Sequence, residues 1–417
     1  GDDSVCGTMT SGGTESILMA VKAAREKAKR SKPWIVRPEL VAPDTAHVAF
    51  EKACKYFGVK YIPVPTTTDY RVNMKAYKKA ITRNTVLLVG SAPHYVQGVV
   101  DPVEEIGQIA LKKNIPFHVD SCIGGFMLPW LEKLGYSVPL FDFRVPGVTS
   151  ISADLHKYGY TAKGASVVLY KNMDYMKHQF FISTNWPGGI YASPNMPGTR
   201  PGGPIAAAWA TLNKLGEAGY MELAQKAKTA AEKFIKGISQ IPELSVMGKP
   251  DMTLVAVESL NEDIDIYVLA DLLNEKGWFM DRQQFPPSIH FTIMANHLDT
   301  VDELIADIKD AVAYAKEHQE LKGQGNAAMY GMMAKIPVRG MVKMSVEKVM
   351  EGMWGPQGQV PDLSNLGGDE DAPAIFKIVD KYGDQAMKWW DKIDRSKKNI
   401  ESKVKKTVKD LKDQLPL

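Results

Sequence analysis

Three short stretches combine residue types that could do chemistry. The first is Thr10-Ser11-Gly12-Gly13-Thr14-Glu15-Ser16. Two glycines at the start of a helix let a ligand approach the backbone, and the free N–H groups with the helix dipole favour an anion there. Gly13 and Thr14 are the candidate donors. No Gly-Lys-Ser/Thr follows and the spacing is not Gly-x-Gly-x-x-Gly, so neither nucleotide fingerprint is present. The second stretch is Pro116-Phe117-His118-Val119-Asp120-Ser121, an apolar run ending in an acid. Open α/β sheets place ligand chemistry outside the carboxyl ends of their strands. Asp120 there could bind a metal, pair with a protonated heterocycle, or simply cap a helix. The third is Ser150-Ile151-Ser152-Ala153-Asp154-Leu155-His156-Lys157-Tyr158. A desolvated lysine has a depressed pKa and becomes a nucleophile toward a carbonyl. His156 beside it could assist with a phosphate, whereas a plain surface lysine would need no such neighbours.

These stretches need elements to position them. Residues 14–30 read as a helix, with Ile17, Leu18, Val21, Ala24 and Ala28 at helical spacing. Short β-rich runs at 36–42, 60–64, 85–90, 116–120, 148–152 and 166–170 alternate with helical stretches at 45–57, 74–82 and 102–113. That alternation predicts a mostly parallel sheet with helices on its faces. Residues 184–203, rich in Gly, Pro, Asn and Ser, read as loop, and 204–215 as a helix. From 220 to 318 the pattern is helix, strand (251–257), helix (264–276), strand (288–293), helix (300–317). The expected organisation is a large α/β domain over 1–215, a smaller α+β domain over 216–345, and a linker with a tail over 346–417.

Composition narrows the class. The 417 residues carry 51 Lys+Arg against 48 Asp+Glu, and 45% are apolar, enough for a large core. No apolar run approaches the length of a membrane-crossing helix. The even charge argues against a general nucleic-acid binder. Cys6, Cys54 and Cys122 are far apart, which points to a reducing compartment and no structural zinc. Residues 376–417 hold twelve Lys+Arg against seven Asp+Glu. There Ile400, Val404, Val408, Leu411 and Leu415 recur at helical spacing among lysines, after Trp389-Trp390. Such a basic amphipathic helix can lie on an anionic membrane surface or pack against protein, the commoner fate. The chain opens Gly1-Asp2-Asp3 without methionine, so a segment upstream is expected.

Taken together, a glycine turn, an Asp at a strand end and a strand followed by His-Lys are the ordered layout of a fold-type I pyridoxal-phosphate enzyme. In that chemistry the lysine holds the aldehyde, the turn holds the phosphate and the Asp keeps the pyridine nitrogen protonated. The longer phrases TSGGTES, DTAHVAFEKACKYFGVK, HVDSCIGGF, DFRVPGVTSISADLHKYGYTAKGAS, GGIYASPNMPGTRPGG and FPPSIHF resemble the sphingosine-1-phosphate lyase family over about residues 5–345. The resemblance implies pyridoxal phosphate bound by Gly13, Thr14, His47, Asp120, Ser152, His156 and Lys157, with His47 stacked on the ring. It implies cleavage of the C2–C3 bond of a long-chain base phosphate, giving a fatty aldehyde and phosphoethanolamine. Tyr95 would take the C3 hydroxyl proton with Lys163 lowering its pKa, or only pack against the cofactor. Thr199 would meet the substrate phosphate, Arg200 would brace its loop, and His290 would be structural; His94 and His118 are left open.

The family also implies a homodimer, and a membrane anchor upstream in eukaryotic members. Localisation would be at the endoplasmic reticulum facing the cytosol in a eukaryote, and cytoplasmic in a bacterium. Two other readings use the same residues: an amino-acid decarboxylase, and a catalytically inactive binding protein on this fold. Intact Lys157, Asp120 and His47 weigh against the second.

Overall fold

The computed structural model describes residues 2–322, Ala327, 339–356 and Gly358. The first elements are β1 (Cys6–Thr10), α1 (Gly13–Ser31), β2 (Glu39–Pro43), α2 (Ala49–Phe57), β3 (Lys60–Val64), α3 (Met74–Ala80), β4 (Thr85–Ser91), α4 (Val103–Lys113), β5 (Phe117–Asp120), α5 (Leu128–Lys133), β6 (Ser150–Ala153) and β7 (Ser166–Tyr170). Seven strands form one sheet in the order β1-β7-β6-β5-β4-β2-β3. Strands β2 to β6 run parallel, while β7 is antiparallel to both its neighbours. The mostly parallel mixed sheet expected of a fold-type I α/β enzyme is therefore present.

The period of two along each strand explains the layering. Val41 and Leu88 face a core built with Tyr77, Val103, Ile106 and Leu131, from α3, α4 and α5. Leu40, Ala42, Leu87 and Val89 face the opposite core, built with Ile17, Val21, Phe50 and Ala53 from α1 and α2. Both faces are covered, which is why these strands are continuous apolar runs with no polar alternation.

Several boundaries differ from the sequence reading, each for a local reason. Strand β1 was not expected, since CGTMT is short and carries a glycine. That glycine is needed: a Cβ on Gly7 would stand 2.3 Å from the Val168 carbonyl oxygen across the ladder. Running into the expected loop, β8 (Phe181–Trp186) pairs with β9 (Gly189–Ser193) as an exposed antiparallel hairpin. After the short α6 (Met173–Met176) and this hairpin, the helix expected over 204–215 continues as α7 (Gly202–Ile238). Only a kink at Gly216 (φ 56°) interrupts it, a left-handed conformation glycine adopts without strain.

The chain divides into two compact units. One comprises Gly1–Leu260 with His290–Asp307; the other takes Asn261–Ile289 and, of the described residues, those from Ile308 onward. The first unit also holds the antiparallel pair β10 (Leu244–Val246) and β11 (Leu254–Ser259). In the second, α8 (Ile266–Glu275) is capped by Asp265, which accepts from the Tyr267 N–H at 2.8 Å, and Arg282 on β12 (Asp281–Gln284) pairs with Asp271. Strand β13 (Pro287–Thr292), α9 (Val301–Glu317) and α10 (Arg339–Trp354) complete the described chain. The basic helix expected over 376–417 lies outside the described residues. Among the described residues no helix is long and apolar enough to cross a membrane.

Candidate active site

Parallel pairing sets Ser91, Asp120 and Ser152 on one rung at the carboxyl ends of β4, β5 and β6. Above that rung opens a cavity of about 350 Å³, walled by the first turn of α1 and by the segments following β4, β5 and β6. Gly13, Thr14, His47, Tyr95, Asp120, His156 and Lys157 all line it, so seven residues spread over 145 positions of sequence meet there.

Asp120 is buried. The Ser152 hydroxyl donates to its Oδ1 at 3.0 Å, and the Cys122 N–H donates to the same oxygen at 3.1 Å. Burial alone would push the carboxyl up, but the Cys122 and His118 interactions outweigh it and hold the pKa below the ordinary value. Asp120 is thus an anion at neutral pH, as a partner for a protonated ring nitrogen must be.

Lys157 follows β6 in a turn that folds its side chain back onto Asp154. Nζ lies 2.9 Å from Asp154 Oδ2, and the Asp154 side chain is 1% exposed. The depressed pKa expected for a buried lysine is not found. Burial does oppose the ammonium, yet Cys122, Asp154 and Asp120 together raise the pKa above the ordinary lysine value. His156 accepts the Ala165 N–H at Nδ1 (3.2 Å), which leaves its proton on Nε2, 3.6 Å from Asp154 Oδ2. Burial, then the Lys163 and Lys157 charges, keep its pKa below the usual value against the pull of Asp154.

The glycine turn is held from below. Ser11 donates to Glu15 Oε2 through both its N–H and its hydroxyl, each at 2.7 Å, and the Met196 N–H donates to Oε1 at 3.2 Å. This buried carboxylate therefore ties the first turn of α1 to the loop over 194–201. Gly13 is required for packing as well as for backbone access. A Cβ there would stand 2.8 Å from both Asp154 Oδ2 and Cys122 Sγ.

Tyr95 stacks on His290 with ring centroids 4.0 Å apart. His47 lies just before α2 and accepts the Ala49 N–H at Nδ1 (3.1 Å), which fixes its ring beside the cavity. His94 also reaches the wall. It accepts the Gln97 N–H and contacts the Tyr70 carbonyl, and burial lowers its pKa to about 4. Lys163 and Thr199 are exposed and outside the lining, as is Arg200. The sequence reading gave no role to Glu15, Asp154 or Ser91, which also face the cavity. The signal for Asp154 was its place three residues before the lysine in Ala153-Asp154-Leu155-His156-Lys157.

The donor set fits pyridoxal phosphate. An α1 N-terminus with glycine and Thr14 suits its phosphate, anionic Asp120 its ring nitrogen, and Lys157 its aldehyde. Ser91 and Asp154 line the cavity, and Ser91 Oγ and Asp154 Oδ1 are buried without a hydrogen-bond partner among the described residues. Among the described residues no cluster of His, Cys, Asp or Glu is placed to hold a metal.

Comparison with known proteins shows which family this fold and cofactor site belong to. The family profile described as "Pyridoxal-dependent decarboxylase conserved domain" matches residues 2–259. A sphingosine-1-phosphate lyase of Arabidopsis thaliana is 46% identical over 350 residues, covering 84% of this chain and 64% of that protein. Sphingosine-1-phosphate lyase 1 of Rattus norvegicus is 47% identical, covering 82% of this chain and 60% of that protein. The chain thus spans less than two thirds of the length of these curated relatives. The solved structure of a Burkholderia pseudomallei sphingosine-1-phosphate lyase superposes with a TM-score of 0.72 at 41% identity, covering 76% of this chain and 72% of that one.

Proposed function

The chain belongs to the pyridoxal-dependent decarboxylase family, and on that premise we propose that it serves a carbon–carbon lyase: cleavage of sphingosine-1-phosphate and related long-chain base phosphates to a fatty aldehyde and phosphoethanolamine. The observation that carries the reading is one cavity lined by Lys157, Asp120, His47 and the Gly13-Thr14 turn, in a chain 46–47% identical to proteins named as that lyase.

Bound pyridoxal phosphate supplies an aldehyde that captures the substrate amine and a protonated ring that draws off the electron pair of the bond being broken. The protein supplies the rest. The Gly13 and Thr14 N–H groups and the Thr14 hydroxyl would hold the phosphate, with His156 beside them. Asp120 would hold the ring N–H, His47 would lie against the ring, and Lys157 would be the attachment point. Tyr95, in its phenolate form, accepts the proton of the C3 hydroxyl. As that O–H bond opens, the C2–C3 pair passes to C2 and C3 becomes the aldehyde carbon. Lys157, which Asp154 keeps protonated, returns a proton to C2, so the balance closes without an added reagent. Thr199 meets the substrate phosphate. No step is assigned to exposed Lys163.

The same reading makes the protein a homodimer. Supporting it are the exposed Trp186 and Ile190 of the hairpin and Trp209 of α7, which flank the loop that carries Thr199. The compartment follows the source: the endoplasmic reticulum membrane in a eukaryote, the cytoplasm in a bacterium. Incubating the purified holoenzyme with sphingosine-1-phosphate tests the reading. Long-chain aldehyde and phosphoethanolamine in equal amounts support it. Release of CO₂ from an amino acid, with no aldehyde from the lipid, would make the protein a decarboxylase instead.

A further inference from the structure

Beneath Asp120, the pleat puts His118 and Asp120 on one face of β5, and their cross-strand partners Ser150 and Ser152 on the same face of β6. All four are buried. His118 Nδ1 is 2.9 Å from Ser150 Oγ and Nε2 is 3.2 Å from Ser152 Oγ. The ring also meets Phe50 edge-on, with centroids 5.8 Å apart, which fixes its plane.

Proton counting gives this row a direction. A serine has one hydroxyl proton, and that of Ser152 is committed to Asp120 Oδ1. The contact between Ser152 Oγ and His118 Nε2 must therefore be an Nε2–H donating to the hydroxyl oxygen. Burial lowers the His118 pKa to about 4, so the ring is neutral and Nδ1 carries no proton. Nδ1 then accepts from the Ser150 hydroxyl. The four side chains form one polarised line, Ser150 to His118 to Ser152 to Asp120, each link strengthening the next. With the Cys122 N–H on the same oxygen, Asp120 Oδ1 is spoken for and Oδ2 is the atom presented to a ligand.

We infer that His118 is a positioning residue: locked in its Nε2–H tautomer, it aims the Ser152 hydroxyl at Asp120 Oδ1 and thereby fixes the carboxylate for the cofactor's ring nitrogen. The inference rests on the placement of Asp120 against that nitrogen and is independent of the substrate cleaved.

The first test uses the protein without cofactor, labelled with ¹⁵N-histidine. Two-bond ¹H–¹⁵N spectra should show His118 protonated at Nε2 and bare at Nδ1; the opposite tautomer overturns the inference. The second measures pyridoxal phosphate affinity by fluorescence quenching. His118→Phe should weaken binding about tenfold, the scale of a lost hydrogen bond to a charged group, and His118→Gln, which restores an N–H donor, should recover most of it. Wild-type affinity in a folded His118→Phe protein overturns the inference. Should His118→Phe fail to fold, Ser152→Ala must show the same loss, and unchanged binding there overturns it equally. Asp120→Asn separates the premise: wild-type affinity in that variant would refute the assignment of Asp120 rather than the line behind it.

Discussion

Lys157 Nζ and Asp154 Oδ2 lie 2.9 Å apart across a single turn, and the carboxylate is almost wholly enclosed. The lysine therefore rests as an ammonium, its pKa above the ordinary value despite burial. Attack on an aldehyde needs the free amine, so Asp154 sets the pH at which that amine appears. Because Asp154 raises the pKa, removing its charge must lower it. Asp154→Asn should move the midpoint of Lys157 reactivity toward small aldehydes down by about 1–3 pH units, read by mass spectrometry of the trapped adduct. An unchanged or higher midpoint would show that the pair does not control the lysine.

Gly13 is packed against that same carboxylate. The added methyl of Gly13→Ala would press on Asp154 and Cys122, both buried, so that one or the other must shift. Overpacking of this kind costs about 1–3 kcal/mol. A lower unfolding temperature together with weaker pyridoxal phosphate binding is expected. A variant with unaltered values of both would show that the turn has room to spare.

Asp101 gives a pH signature unrelated to the cofactor. It is buried, accepts the Ser91 N–H at 2.8 Å and that of Val72, and burial pushes its pKa up to about 7 from an unfolded value of 3.8. Between those values the folded protein holds a proton that the unfolded chain does not. Stability contributed by this group therefore falls as pH rises from about 4 to about 7, by at most ~1.4 kcal/mol per unit, and is level above. Asp101→Asn cannot ionise and lacks this slope. Denaturation of both proteins across that range should show the variant gaining on the wild type as pH rises; a constant difference would contradict the assignment.

The hairpin and α7 expose Ile190 (81%) and Trp209 (69%), large apolar side chains that solvent disfavours. If these surfaces close a dimer, Ile190→Asp and Trp209→Asp should each shift the mass measured by light scattering toward the monomer. They should leave the unfolding transition of the monomer in place. A monomeric wild type, or dimers indifferent to both changes, would count against the proposed homodimer.

Much of this site was legible because its signals are local. The glycine pair before an apolar helix, the acid closing an apolar strand and the His-Lys after another each speak within a few residues. The alternation of short β-rich runs with helical ones gave the mostly parallel sheet. What stayed hidden depends on register or on chain reversal. That His118 faces Ser150 and Ser152 follows only from how β5 pairs with β6. That Asp154 meets both Lys157 and Gly13 requires α1 to be packed against the end of β6. Strand β1 was missed because its glycine serves a close cross-strand approach. The hairpin was missed because glycine and proline at 187–203 masked the β-branched and aromatic residues between them.

Lys157 is the residue proposed to carry the cofactor. Reducing the holoprotein with borohydride fixes pyridoxal phosphate to its lysine, and peptide mass mapping then names the position. The prediction is a single modified peptide, labelled at Lys157, and no label in Lys157→Ala. A label on Lys163 or on any lysine outside the cavity, with Lys157 unmodified, would contradict the site described above.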